Sequence, residues 1–145
     1  MPTSKDQNIL IVDDDEDLTN LYETFLKYDE YKVDSFTDPT YALYSFKKDV
    51  YDLALLDLKM PKMNGIQLSQ ELQNIDPNLF YRFITAANKE YVENIKANNP
   101  GIEKIVIYKP FWLNELRTTV NSLLSNKEKQ QKENKDRRLL MMMMI

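Results

Sequence analysis

Asn8-Ile9-Leu10-Ile11-Val12-Asp13-Asp14-Asp15-Glu16-Asp17 is the stretch on which the fold turns. Four apolar residues in a row, three of them β-branched, end at five consecutive acids. A run without polar alternation describes a strand buried on both faces, the habit of a parallel sheet. The same device recurs downstream. Leu53-Ala54-Leu55-Leu56 ends at Asp57, Leu79 to Ile84 ends at Thr85, and Lys104 to Tyr108 ends at Lys109, before Pro110. Tyr31 to Phe36 alternates and supplies one more strand.

Helical spacing fills the gaps between these runs. The first helix is predicted from Leu18, Leu21, Tyr22, Phe25 and Leu26. Asp38 caps a second, with Pro39 at its first position and Ala42, Leu43 and Phe46 as its face. A loop from Met60 to Gly65 leads to a third helix, with Ile66, Leu68, Leu72 and Ile75 turned inward. Residues 88–98 form a polar helix striped by Tyr91, Val92 and Ile95, and Gly101 breaks the chain after it. Leu113, Leu116, Val120, Leu123 and Leu124 mark the last. Five β-α units in strict alternation predict an α/β domain, a doubly wound parallel sheet with helices on both faces.

In such a sheet, ligands bind beyond the carboxyl ends of the strands. Those ends deliver Asp13, Asp14, Asp57, Thr85 and Lys109, so three carboxylates, a hydroxyl and an ammonium are expected in one crevice. Clustered carboxylates repel one another unless a cation lies among them. All-oxygen ligation suits a hard divalent ion, chiefly Mg2+. A carboxylate beside such an ion can attack a phosphoryl donor and become an acyl phosphate, with no general base required.

Composition narrows the alternatives. The 145 residues contain no cysteine and no histidine, which excludes disulfides, thiolate chemistry and imidazole catalysis on this chain. Residues 1–125 carry 13 basic and 20 acidic side chains; residues 126–145 carry six and three. An acidic body is expected to repel nucleic acid. No apolar run approaches the roughly 20 residues that span a bilayer, and no signal peptide is visible, so a cytoplasmic protein is expected.

The strings Ile9-Leu10-Ile11-Val12-Asp13-Asp14-Asp15 and Leu55-Leu56-Asp57-Leu58-Lys59-Met60-Pro61-Lys62-Met63-Asn64-Gly65, with Thr85-Ala86 and Tyr108-Lys109-Pro110-Phe111, resemble the receiver domain of two-component response regulators. The resemblance covers about residues 7–125. It implies a flavodoxin-like sheet of order 2-1-3-4-5 and Asp57 as phospho-acceptor. Asp13, Asp14, Asp57 and the main-chain carbonyl of Lys59 would hold Mg2+ or Mn2+, with Thr85 and Lys109 on the phosphoryl group. A sensor histidine kinase or phosphotransfer protein would be the donor. The surface of helix 4, strand 5 and helix 5 would then regulate an unidentified downstream protein. Such a domain is a switch that dephosphorylates slowly, rather than an enzyme with outside substrates. One position departs from the family. Three residues before the lysine, where the family usually has an aromatic ring, this chain has Val106. Tyr108 shares that strand face, and Thr85 is expected to move with Tyr108 or a loop reporting the change. Trp112 is expected beside the partner surface.

The domain is expected to occupy residues 1–125. Residues 126–145 are charged and then rich in methionine, and are expected to form a disordered tail or a solvated helical extension. Membrane contact by that tip is not expected, and no output domain fits within it. Two rivals remain at this level. A pseudo-receiver would keep the fold as a phosphorylation-independent interaction module. A flavin or nucleotide binder on the same architecture would want a glycine-rich loop after the first strand, where this chain has acids.

Overall fold

A computed structural model describes residues 7–109 and 113–144. Five strands, β1 (Asn8–Val12), β2 (Lys32–Phe36), β3 (Leu53–Asp57), β4 (Phe80–Thr85) and β5 (Val106–Tyr108), form one parallel sheet in the order β2-β1-β3-β4-β5. The helices are α1 (Glu16–Tyr28), α2 (Pro39–Ser45), α3 (Gly65–Ile75), α4 (Lys89–Lys96) and α5 (Leu113–Met143).

The apolar runs are continuous because successive side chains serve different cores. Leu10 and Val12 of β1 and Ala54 and Leu56 of β3 join Ala42 of α2, Leu68 and Leu72 of α3 and Val92 of α4. Ile9, Ile11, Leu53 and Leu55 point the other way, onto Tyr22 and Leu26 of α1 and Leu116, Val120 and Leu124 of α5. Arg117 of α5 ties the second layer together, donating from Nε and Nη2 to the two carboxylate oxygens of Asp29 at 2.6 and 2.9 Å.

Several expectations shift in detail. Ile75, expected to face inward, is 38% exposed, and Leu21, part of the helical repeat that marks α1, is 47% exposed. α1 instead buries Thr19, whose hydroxyl donates to the carbonyls of Asp13 and Asp15 at 3.0 and 2.7 Å. The fifth strand is shorter than predicted, because Ile102–Lys104 is a 3₁₀ turn entered through Gly101 at φ 84°. α5 continues past Leu124 to Met143, so of the two outcomes expected beyond residue 125 the structure has the helical extension.

Candidate functional site

Register brings the polar strand ends together. Val12 pairs with both Phe36 and Leu56, Asp57 with Ile84, and Thr85 with Tyr108. Asp13, just past β1, therefore emerges beside the end of β3, and Lys109, just past β5, beside the end of β4. The Asp13 amide donates to the Phe36 carbonyl at 3.1 Å, and the Lys109 amide to the Thr85 carbonyl at 2.7 Å. Backbone hydrogen bonds thus fix both positions before their side chains act.

Asp13, Asp14, Asp57, Lys59, Thr85 and Lys109 line a crevice of about 600 Å³. Carboxylate oxygens of Asp13, Asp14 and Asp57 lie within 4.8 Å of one another. Asp13 and Asp57 are buried, while Asp14 is exposed at the mouth. The Lys109 ammonium donates to Asp13 Oδ2 at 2.6 Å and stands 4.0 Å from Asp57 Oδ2. Thr85 is buried, and its hydroxyl accepts the Ala87 amide at 2.9 Å. Asp15 has a different task. It caps α1 by accepting the Leu18 amide at 3.1 Å, while its own amide donates to Asp13 Oδ1 at 3.0 Å.

Burial raises the Asp57 carboxyl, and the charge of Asp13 raises it further, to about 8; the Lys109 ammonium pulls the other way. Three carboxylates held this close, with one lysine against them, form a donor set made for a hard divalent cation. The set offers oxygen ligands only, and two of its three carboxylates, Asp13 and Asp57, are desolvated.

The loop leaving β3 is held against the strand. The Leu58 amide donates to the Ile84 carbonyl at 2.9 Å and the Gly65 amide to the Leu58 carbonyl at 3.0 Å. A Cβ on Gly65 would lie 2.3 Å from the Asp57 carbonyl oxygen, so the close approach requires glycine. Asn64 then starts α3 with a capping box, its side chain accepting the Gln67 amide and Gln67 accepting the Asn64 amide. That Asn-x-x-Gln signal is legible in the sequence, and it places Asn64, at the end of the expected loop, as the helix cap.

Lys59 is exposed, and its ammonium sits 4.7 Å from the centroid of the Tyr91 ring on α4. The sequence marks Tyr91 only as part of an apolar stripe, and nothing local in it foretells the contact. Val106 and Tyr108 are half-buried, both packed on the cluster that holds α2, α3 and α4. Trp112 lies outside the described residues.

Comparison with known proteins agrees with this arrangement. The response regulator receiver domain family matches residues 9–121, and the chain belongs to that family. It is 31% identical over 122 residues to the response regulator SaeR of Staphylococcus aureus, covering 84% of this chain and 52% of SaeR. The chain thus spans about half the length of the curated relatives it matches. A CheY-like receiver domain from Methanospirillum hungatei superposes with TM-score 0.75 at 24% identity, over 86% of this chain and 98% of that one. The response regulator TrrA from Thermotoga maritima, solved in complex with Mg2+-BeF, gives TM-score 0.65 at 25% identity, over 81% and 98%. Receiver domains of two-component systems are signalling switches rather than enzymes acting on outside substrates, and the crevice of Asp13, Asp14 and Asp57 has the make-up that phosphorylation and Mg2+ require.

Proposed function

We propose that the chain is a phospho-acceptor switch in which Asp57 takes a phosphoryl group from a phosphohistidine on a sensor histidine kinase or phosphotransfer protein. The Asp57 carboxylate oxygen attacks phosphorus, the P–N bond breaks, and the electron pair leaves with the donor imidazole. The product is an aspartyl phosphate. Asp13, Asp14, Asp57 and the main-chain carbonyl of Lys59 would hold Mg2+ or Mn2+, which when bound supplies positive charge beside the phosphoryl oxygens. Lys109, 4.0 Å from Asp57 Oδ2, adds its own positive charge, and the Thr85 hydroxyl donates a hydrogen bond once the phosphoryl group arrives. The TrrA complex with Mg2+-BeF supports carrying this chemistry to a related chain.

One observation carries the reading: Asp57 lies in a three-carboxylate cluster with its Oδ2 4.0 Å from the Lys109 ammonium. The new charge, about −1.5 to −2 as for other phosphorylated side chains, then biases the surface of α4, β5 and α5 toward a regulated protein partner. Val106 favours a second reading. A half-buried valine cannot swing as a ring would, so a phosphorylation-independent interaction module remains the rival.

Intact-mass measurement after incubation with acetyl phosphate, with and without Mg2+, separates the two. A Mg2+-dependent gain of one phosphoryl group, absent in Asp57→Asn, supports the switch. A native protein that gains nothing leaves the interaction module.

A further inference from the structure

Lys59 stands between the crevice and α4. It follows Asp57 by two residues and lines the cavity, yet its ammonium rests on the Tyr91 ring at 4.7 Å. Among the described residues it has no ion pair. Tyr91 is in the first turn of α4, where its amide donates to the Asn88 cap at 2.9 Å. The ring is half-buried against the cluster that holds Val92, Val106 and Tyr108. A single lysine side chain therefore joins the lip of the candidate phosphoryl site to the start of a helix on the proposed output face.

We propose that Tyr91 is the resting seat of the Lys59 ammonium, and that a phosphoryl group on Asp57 draws Lys59 off the ring, so that this exchange of partners reports the state of Asp57 to the first turn of α4. The inference rests on the phospho-acceptor reading above. The energetics favour exchange. An exposed ammonium over a half-buried ring at the surface is held weakly. The phosphoryl group brings anionic oxygens into a crevice whose other lysine, Lys109, is already bonded to Asp13 at 2.6 Å. Lysine reaches either partner, because its ammonium moves on a flexible four-carbon stem. A ligand shifts a two-state element only by its differential interaction with the two states. Here the difference lies in Lys59 on the ring versus Lys59 on the anion. α4 loses a tether at its capped end, and Val106 need not move.

The test uses the full chain with Mg2+ and beryllofluoride as the phosphoryl probe, in a double-mutant cycle. If the ring competes for Lys59, Tyr91→Leu binds beryllofluoride about two- to fivefold more tightly than native, the span of a cation–π contact made by a solvated ammonium. Tyr91→Phe keeps a ring and binds as native does. Lys59→Met binds more weakly, and in that background Tyr91→Leu changes nothing. Amide hydrogen exchange at Glu90 to Val92 rises when beryllofluoride binds the native protein; in Lys59→Met it is already raised and no longer responds. Additive single effects, or exchange in α4 indifferent to the probe, overturn the proposal while native binding leaves the phospho-acceptor reading standing. A native protein that binds no beryllofluoride with Mg2+ overturns both.

Discussion

Asp57 is 5% exposed and Asp13 only 1%, an arrangement that costs the cation-free fold some of its stability. Because burial and Asp13 raise the folded Asp57 carboxyl from 3.8 to about 8, the native state holds its proton longer than the unfolded chain does. The Asp57 contribution is therefore fully present below its unfolded value and is lost as pH rises through the folded one. Asp57→Asn should stabilise the chelator-treated protein at pH 8 by about 1–3 kcal/mol, the scale of a buried group's desolvation penalty, and should flatten the fall in stability between pH 4 and 8. Urea unfolding across that range measures both effects. Gly65 makes the opposite kind of demand. The Cβ of Gly65→Ala would meet the Asp57 carbonyl oxygen at 2.3 Å, backbone against a side chain that cannot turn away. The substitution should cost about 1–3 kcal/mol as overpacking does. Because it displaces the acceptor's own peptide, phosphorylation by acetyl phosphate should slow with it. A stable Gly65→Ala protein phosphorylated at the native rate would show that the loop relaxes freely.

Elements differ in how they are held. α3 begins with reciprocal hydrogen bonds between Asn64 and Gln67, and Asn64→Ala should lower stability by about 1 kcal/mol in urea unfolding, the usual value of a lost cap. The positions of β1 and β3 were legible because both faces of each strand are buried, leaving unbroken apolar runs that stop where the site begins. Asp13, Asp14, Asp57, Thr85 and Lys109 were legible for the same reason: parallel register alone brings strand ends together. Leu21 and Ile75 fit the helical repeat yet lie exposed, because a 3.6-residue repeat marks a stripe wider than the face a sheet covers. β5 is shorter than the expected Lys104 to Tyr108 because Lys104 closes a 3₁₀ turn and Ile105 caps it, and Ile105 packs on the core from outside the strand, which an apolar count cannot tell from a strand residue. Contacts that join distant segments, such as Lys59 with Tyr91, carry no local pattern.

At the scale of the whole molecule, α5 is the feature that outruns its sequence signal. Its apolar face ends at Leu124, yet the helix continues to Met143. Among the described residues no helix is long and apolar enough to cross a membrane. Lys127 explains the first turn of the extension. It is 6% exposed, its ammonium donates to the Asp52 carbonyl at 2.8 Å, and it lies 5.3 Å from the centroid of the Phe80 ring, closing the base of the sheet opposite the crevice. Beside it, Glu128 accepts from the Gln7 side chain at 2.8 Å. Residues 129–144 are exposed throughout. Truncation after Gln131 should therefore leave stability within about 0.5 kcal/mol of native, as surface changes do. Truncation after Ser125 uncovers Phe80 and the Asp52 carbonyl and should cost about 1–3 kcal/mol. The pH dependence gives an independent check. Burial lowers the Lys127 amine from its ordinary value, against the pull of Asp52, Asp76 and Asp49. The unfolded chain binds the proton more tightly, so the Lys127 contribution grows as pH rises through the folded value toward 10.5 and falls away as pH drops below it. Native protein should thus gain stability relative to Lys127→Met between pH 8 and 10.5 in paired urea titrations. The pairing matters, because tyrosines raised by burial, Tyr31 and Tyr51 among them, pull both proteins the other way in the same range. A constant difference between the two proteins would mean that Lys127 is solvated and that the extension is not docked through it.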